Sequence, residues 1–186
     1  MQGTESVEDL SLHILDIAEN AVAAGSRLIR ISITEDAARD LFSLEVSDDG
    51  NGLRREELEK AADPFFSTKS GHRTGLGLAL LHQAAIEANG TMELRSVPGR
   101  GTTVSASFQA SHPDRKPVGN MVDTITALLN ACQDLSLVYV HSRDGKRIVF
   151  DSREMREELA GAPVHSAKAQ MVIHGYLNQE EESLTH

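Results

Sequence analysis

Paired glycines at three turns constrain the first part of the chain more than any other feature of the sequence. The first pair follows an alternating strand pattern, the second opens a helical pattern, and the third separates two strand patterns. The pairs are Gly50 and Gly52, Gly75 and Gly77, and Gly99 and Gly101. Glycine permits a positive φ and a close approach of the backbone to another group. Each pair alone is weak support for a ligand site, because glycine in a turn usually reflects backbone geometry, but their order and contexts together favour one.

Hydrophobic periodicity predicts the elements between these turns. Apolar residues at helical spacing predict helices, and strict alternation of apolar and polar residues predicts strands. The predicted helices cover about residues 7–24, 54–62 and 75–89, and the predicted strands cover about 27–34, 41–47, 91–97 and 102–109. Hairpin-connected strands imply a mixed, largely antiparallel sheet, and the helices must cover one of its faces. The expected fold is therefore an α/β two-layer sandwich.

The end of this pattern predicts a division of the chain. Residues 112–120 contain two prolines, two cations and a glycine, a composition typical of a linker. We therefore expect a main domain over 1–112, a linker over 113–119, and a small C-terminal α/β appendage over 120–186. The appendage is predicted from a hairpin pattern and capped helices, and we expect it to serve dimerisation or partner docking.

Composition excludes several classes of protein. The net charge of −10 over 186 residues argues against a general nucleic-acid-binding surface. Cys132 is the one cysteine, so an internal disulfide and a zinc site made of cysteine pairs are excluded. No apolar run approaches the ~20 residues that span a bilayer, and the acidic N-terminus does not resemble a signal peptide. We therefore expect a cytoplasmic protein that contacts neither nucleic acid nor membrane.

Polar positions on the first predicted helix suggest a metal site. Asp16 and Asn20 are one helical turn apart and share a face with His13. A carboxylate and an amide oxygen on such a strip can hold Mg²⁺ and orient an attacking group. A solvated helix surface is the alternative interpretation, which we prefer for His13 and leave open for the other two residues.

Two further features have chemistry that suits a nucleotide. Asp48 ends a predicted strand, where its carboxylate can accept a hydrogen bond from an exocyclic amine such as that of adenine. Glycines at the start of a helix let backbone N–H groups approach phosphate oxygens, which the helix dipole also favours. The pattern is neither the dinucleotide fingerprint nor a P-loop, because no G-x-G-x-x-G opens a helix after the first strand and no Gly-Lys-Ser/Thr occurs.

Five segments, in order, resemble the sequence boxes of the GHKL superfamily, which includes histidine kinases, gyrase and mismatch-repair ATPases. They are an asparagine box at 16–21, a first glycine box at 48–52, a phenylalanine box at 63–69, and second and third glycine boxes at 74–78 and 99–103. The phenylalanine box, Asp-Pro-Phe-Phe-Ser-Thr-Lys, is closely similar to that of sensor histidine kinases. The resemblance covers about residues 6–110 and implies the Bergerat ATP-binding fold, with ATP and Mg²⁺ as cofactors.

The resemblance also implies a role for each matching residue. Asn20 would coordinate the Mg²⁺, Asp48 would bind the adenine amino group, and Thr102 would support Asp48 and adenine. Gly50 and Gly52 would let the chain pass close to the base. A second set would hold the phosphates. The Lys69 side chain would contact them, with a solvated lysine as the alternative, and the backbone of the second glycine box would also hold them. That set is Lys69, Thr74, Gly75, Leu76, Gly77 and Leu78.

Two carboxylates are candidate catalytic bases. Asp16 falls where hydrolysing relatives carry a glutamate, four residues before the asparagine, and it is one methylene shorter. Glu19 is adjacent to Asn20 but points about 100° away around the helix, so it is the weaker candidate. Arg73 stands at the first glycine position of the second glycine box, where it could pair with phosphate or point to solvent.

These features predict an ATP-dependent protein kinase or ATPase of signal transduction. A typical sensor kinase has a phosphorylatable histidine on a dimerising helical hairpin ahead of this domain, and the residues before Asp9 are too few for one. We therefore expect transfer of the γ-phosphoryl group to a separate protein, on a histidine or, as with anti-sigma-factor kinases, on a serine. The alternative is an ATP-gated protein-binding switch with little turnover. Either protein could be a homodimer.

Overall fold

The computed structural model describes residues 9–61, 76–159, 163–164 and 166–185, in which six strands form a single sheet. The first part of the chain folds as α1 (Leu10–Ala23), β1 (Leu28–Asp36), β2 (Leu41–Asp48), α2 (Arg55–Ala61), α3 (Leu76–Glu87), β3 (Thr91–Val97) and β4 (Gly101–Gln109). The second part folds as α4 (Met121–Ala131), β5 (Ser136–Arg143), β6 (Lys146–Asp151), α5 (Ser152–Glu158) and α6 (Ala167–Thr185). A short 3₁₀ turn, Ala37–Arg39, joins β1 to β2.

The sheet is mixed, and its strands lie in the order β3-β4-β2-β1-β5-β6. Neighbouring strands run antiparallel except for β1 and β5, which are parallel. The helices α3, α1, α4 and α6 contact one another in that order, and their buried apolar residues form one core with inward side chains of the strands. The predicted α/β class and the mixed, largely antiparallel sheet are therefore confirmed. Of the helices in the described ranges, none is both long and apolar enough to cross a bilayer.

Local sequence explains where α1 begins and ends. The Asp9 side chain caps the helix by accepting a hydrogen bond from the backbone N–H of Leu12 at 3.2 Å. Beyond its other end, Gly25 has a φ of 79°, a left-handed conformation that favours glycine. Between these points Ile14 and Ile17 are buried against the sheet side of the helix. This packing fixes which residues of α1 remain available for a site.

Asp49 fixes the turn between α1 and β1 against the end of β2. Its Oδ1 atom accepts hydrogen bonds from the hydroxyl of Ser26 and from the backbone N–H groups of Arg27 and Leu28, each at 2.8 Å. Desolvation raises the pKa of Asp49, but the hydrogen bonds more than offset it and the pKa is lowered overall. The charged carboxylate is therefore the form that holds this turn.

The C-terminal region extends the same sheet and core, because β5 lies beside β1 and α4 packs against α1. The connection between β4 and α4 also binds the start of α1. The backbone N–H groups of Leu10 and Ser11 donate to the carbonyls of Pro117 and Val118, at 2.9 and 2.8 Å. The linker at 113–119 stays a prediction. The strands before these residues and the strands after them belong to one continuous sheet.

A buried histidine between two carboxylates fastens α6 to the sheet. His141 on β5 is 5% exposed; its Nε2 lies 3.0 Å from Glu35 Oε1 on β1, and its Nδ1 lies 3.0 Å from Glu181 Oε2 on α6. The Tyr139 hydroxyl donates to Glu181 Oε1 at 2.6 Å, and Arg143 Nε lies 3.8 Å from Glu35 Oε2. Burial alone would lower the pKa of His141, but the two carboxylates raise it to about 9. The histidine is therefore charged at neutral pH and joins three elements.

Replacing this histidine should remove a pH-dependent part of the stability. The pKa of His141 is about 9 in the folded protein, whereas the ordinary pKa of histidine is 6.5. The charged ring therefore stabilises the fold fully below pH 6.5, and this contribution is lost as the pH rises through about 9. The pKa of Glu35 is lowered, mainly by its bond to His141, so its contribution is lost only at acid pH. Between about pH 6 and about pH 9, we expect the wild type to lose about 3 kcal/mol more unfolding free energy than His141→Gln, measured by urea denaturation.

His174→Gln is the matched control for this measurement. His174 lies on α6, is 48% exposed, and pairs with Asp123 at the surface, so this variant should keep the wild-type pH dependence. An equal loss of stability with pH in the wild type and in His141→Gln would contradict the role of His141.

Replacing Asp49 should destabilise the fold, because three donors lose their shared charged acceptor. We expect Asp49→Ala to lower the free energy of unfolding by about 2–3 kcal/mol, measured by urea denaturation at neutral pH. Asp134→Ala is the control, since Asp134 is an exposed aspartate in the turn before β5, and it should change stability by less than about 0.5 kcal/mol. Equal stability of the two variants would show that Asp49 does not hold the turn.

Candidate nucleotide-binding site

A cavity of about 350 Å³ lies between α1 and the ends of β2, β3 and β4, with one residue each from α2 and α3 in its wall. Its walls are mostly apolar, and a few polar groups enter it, the usual form of a small-molecule site. Five of the residues predicted from the sequence line this cavity: Asn20, Asp48, Gly52, Leu78 and Thr102. The fold therefore brings together residues that lie up to 82 positions apart, from Asn20 to Thr102.

Four predicted residues lie outside the lining of this cavity, namely Asp16, Glu19, Gly50 and Gly77. Glu19 is exposed to solvent, and Gly50 is buried beneath the carboxyl group of Asp48. The Asp16 carboxylate packs against Gly77 in the first turn of α3, where a Cβ would collide with it. Gly77 therefore has a structural reason to be glycine, the close approach of α1 and α3.

Three predicted phosphate contacts, Lys69, Thr74 and Gly75, fall outside the described residues, as does Arg73. Leu76 is the first residue of α3, and the wall of the cavity includes Leu78 from the same turn. The start of α3 therefore reaches the cavity, while the roles of these residues in holding phosphate stay predictions.

Asp48 is the acidic group of the cavity wall. Its Oδ1 accepts a hydrogen bond from the backbone N–H of Gly50 at 2.7 Å, which fixes the carboxyl group at the end of β2. Burial raises the pKa of Asp48, the backbone N–H groups of Gly50 and Thr102 oppose this rise, and the charge of Asp49 adds to it. A half-buried acceptor of this kind gains by bonding a donor from a ligand, because less water competes for it.

Gly52 and Gly101 let two turns pack directly on each other beside Asp48. Gly52 has a φ of 64°, and a Cβ there would collide with the carbonyl of Val97 at the end of β3. Gly101 has a φ of 96°, and a Cβ there would collide with the carbonyl of Asp48. These glycines are therefore required by contact between protein segments at the edge of the cavity.

Ser96 is a neighbour of the site that the sequence analysis did not single out. Its hydroxyl lies 2.9 Å from Thr102 Oγ1, donates to the carbonyl of Gly101 at 3.0 Å, and accepts from the backbone N–H of Leu53 at 2.7 Å. Ser96 stands opposite Thr102 in the register of β3 and β4. The sequence could therefore have indicated that Ser96 lies beside Thr102, because the hairpin was predicted and residues near a tight turn face each other in a fixed register.

Asn20 brings an amide oxygen to the cavity, where it would serve as one ligand of a magnesium ion. Mg²⁺ is bound in many nucleotide sites through one or two protein oxygens, with water and phosphate supplying the rest of an octahedron. An amide oxygen on α1 meets that requirement. Within the described ranges, no three or more His, Cys, Asp or Glu side chains cluster to hold a metal ion by themselves. The donor set of the described residues therefore suits a metal whose other ligands come from water and a bound phosphate chain.

Several bacterial proteins, two of them sensor histidine kinases, have similar sequences. The chain is 36% identical over 112 residues to the Non-motile and phage-resistance protein of Caulobacter vibrioides, over 55% of this chain and 13% of that protein. It is 31% identical over 104 residues to the Sensor histidine kinase YxdK of Bacillus subtilis, over 53% of this chain and 32% of that protein. It is 29% identical over 106 residues to the Sensor histidine kinase ZraS of Escherichia coli K12, over 57% of this chain and 23% of that protein. The chain thus spans a third or less of the length of these relatives.

Solved structures with a related shape are more distant in sequence. The N-terminal domain of a DNA repair protein is 17% identical, with a TM-score of 0.49 over 76% of this chain and 51% of that chain. The MutL ATPase domain of Aquifex aeolicus complexed with ADP is 14% identical, with a TM-score of 0.46 over 78% of this chain and 63% of that chain.

The family model of the histidine kinase-, DNA gyrase B- and HSP90-like ATPases matches residues 6–112, more than half of the chain. This protein therefore belongs to the histidine kinase-, DNA gyrase B- and HSP90-like ATPase family.

Proposed function

We propose that this protein binds ATP with Mg²⁺ in the cavity beside α1 and transfers the γ-phosphoryl group to a separate protein in signal transduction. The observation that carries the proposal is that Asp48 and Asn20 enter one cavity from the end of β2 and from the side of α1. They supply the two acceptors that such a ligand needs, a carboxylate for the amine of the base and an amide oxygen for the metal at the phosphates. Membership of the ATPase family supports the same ligand.

The cavity divides into two ends under this proposal. Asp48, Gly52 and Thr102 form the base end, where the adenine amine bonds the Asp48 carboxylate. Asn20 and the start of α3 form the phosphate end, where helix N–H groups and the dipole favour anions. Bound Mg²⁺ would neutralise charge on the phosphates at this end. The apolar wall between the two ends excludes water from the nucleotide and strengthens the polar contacts.

The phosphoacceptor is proposed to be a histidine or a serine on another protein, with this chain as a monomer or a homodimer. The histidine kinase relatives favour a signalling role, although the chain spans only part of their length. Positioning and charge neutralisation would supply most of the rate of such a transfer, because phosphoryl transfer requires little covalent chemistry from the protein.

An ATP-gated binding switch is a second candidate function, and one observation favours it. The Asp16 carboxylate, proposed as a catalytic base, packs against Gly77 and is not part of the cavity wall. Glu19, the other candidate base, is exposed to solvent. If neither carboxylate reaches an attacking group, ATP would be bound with little turnover and would act by changing a partner surface.

Asp48→Ala should weaken ATP binding about ten- to a hundredfold, since a charged acceptor for the base amine is lost. Isothermal titration calorimetry with ATP and ADP measures this change, and both ligands should lose affinity to a similar extent because they share the base. Glu45→Ala is the control, because Glu45 is an exposed carboxylate of the same strand that lines a hollow on the opposite face of the sheet. Undiminished affinity in Asp48→Ala would remove the base end from the proposal.

Asn20→Ala should abolish most of the magnesium dependence of ATP binding, because the metal loses its protein ligand. The wild type should bind ATP at least about tenfold more weakly when Mg²⁺ is replaced by a chelator, whereas Asn20→Ala should bind weakly in both conditions. The control is Asp48→Ala, which should lower affinity while keeping the response to Mg²⁺. A full response to Mg²⁺ in Asn20→Ala would show that this residue does not hold the metal.

Turnover separates the two candidate functions. If Asp16 acts as a base, Asp16→Asn should reduce release or transfer of the γ-phosphate about a hundredfold or more while ATP affinity is kept. The measurement follows radiolabelled γ-phosphate with the protein alone and with proteins captured on it in the presence and absence of ATP. Near-zero turnover that Asp16→Asn leaves unchanged, together with ATP-dependent capture, would favour the switch.

A further inference from the structure

Ser96 lies behind Thr102 at the base end of the cavity and does not itself form part of the wall. Its hydroxyl contacts three groups that belong to two segments, the turn after β2 and the start of β4. The backbone N–H of Leu53 comes from the turn after β2, the carbonyl of Gly101 begins β4, and the hydroxyl of Thr102 faces the cavity. Both Leu53 and Thr102 line the cavity, so Ser96 connects two parts of the base end through a single atom.

Only one placement of the two hydroxyl protons makes all three contacts of Ser96 hydrogen bonds at the same time. A serine hydroxyl has one proton and two lone pairs. The N–H of Leu53 can only donate, so it occupies one lone pair, and the carbonyl of Gly101 can only accept, so in this placement it takes the Ser96 proton. The remaining lone pair of Ser96 then accepts the proton of Thr102. Thr102 Oγ1 is therefore left with lone pairs alone to present to the cavity.

We propose that Ser96 is a positioning residue that makes Thr102 a hydrogen-bond acceptor and thereby selects a 6-amino purine over a 6-oxo purine. The inference rests on the proposed binding of ATP in this cavity. The Asp48 carboxylate is also an acceptor, so the two polar side chains of the base end offer lone pairs to the ligand. An exocyclic amine has two N–H donors and suits such a site, whereas a 6-oxo group has only lone pairs and is disfavoured.

Inosine triphosphate tests the proposal, because it has a 6-oxo group and a protonated N1 where ATP has a 6-amino group and a free N1. We expect the wild type to bind ATP at least about tenfold more tightly than inosine triphosphate, measured by calorimetry. In Ser96→Ala the Thr102 hydroxyl no longer has to donate to Ser96, so it can turn and donate to the 6-oxo group. The ratio of the two Kd values should therefore fall about five- to tenfold.

Two single variants separate this role from general damage to the fold. Ser96→Thr keeps the hydroxyl and should keep the wild-type ratio of Kd values. Ser105→Ala removes a hydroxyl of β4 that faces the opposite side of the sheet, and it should also keep the ratio. Circular dichroism checks that each variant is folded before titration.

A double-mutant cycle tests whether Ser96 acts through Thr102. Thr102→Val removes the acceptor and should lower the ratio by itself. In that background Ser96→Ala should cause no further change, because the hydroxyl that it controls is already absent. If Ser96→Ala alone does not fold, the comparison of Thr102→Val with the wild type still decides whether Thr102 selects the base.

The outcomes distinguish the proposed ATP binding from the role of Ser96. Failure of the wild type to bind ATP would overturn the proposed function. Three results would overturn the role of Ser96 alone. The first is ATP binding with no preference over inosine triphosphate, and the second is a ratio of Kd values that Ser96→Ala or Thr102→Val leaves unchanged. The third is an equal effect of Ser96→Ala with and without the Thr102 hydroxyl.

Discussion

The contact between the turn after β2 and the turn between β3 and β4 is the constraint on which the site depends. Gly101 lies against the carbonyl of Asp48, and the N–H of Gly99 donates to the carbonyl of Asn51 at 2.7 Å. This contact sets how far Asp48 and Thr102 stand apart at the base end. Asp49 fixes the other side of the same turn, through three hydrogen bonds from the segment that leads from α1 into β1. The two adjacent aspartates therefore have different roles. Asp48 faces the cavity, and Asp49 fixes the backbone that carries Asp48.

The sequence predicts the elements of this structure better than their contacts. Strands and helices follow hydrophobic periods that are local, so β1 to β4 and α1 and α3 fall within a few residues of the predicted ranges. The parallel pairing of β5 with β1 joins segments about a hundred residues apart, from Leu28 to Ser136, and no local pattern indicates it. Asp49 was missed for the same reason: its three donors meet it only when the turn closes. Ser96, by contrast, could have been identified from the register of a predicted hairpin.

The two ends of β1 have different functions in the fold. Ile29 pairs with Asp48 at the cavity end, whereas Glu35 reaches His141 at the far end. Because that histidine also bonds Glu181, the last helix is attached to the sheet at the end away from the cavity. Changes in charge at the far end therefore act on the attachment of α6 and leave the contacts of Asp48 in place. Stability and nucleotide binding can accordingly be tested by separate substitutions.

The position of Asp16 links the two candidate functions to one geometric question. Its carboxylate lies against Gly77 in the first turn of α3, where a helix dipole stabilises negative charge. Phosphate bound at the same helix end would be favoured by the same dipole and repelled by the carboxylate, and a cation near both anions would reduce this repulsion. The Mg²⁺ proposed at Asn20, one helical turn along α1 from Asp16, would supply such a charge. In the proposed transfer Asp16 would have to approach an attacking group beside this metal, whereas the proposed switch would require only that nucleotide binding alters the contact between α1 and α3.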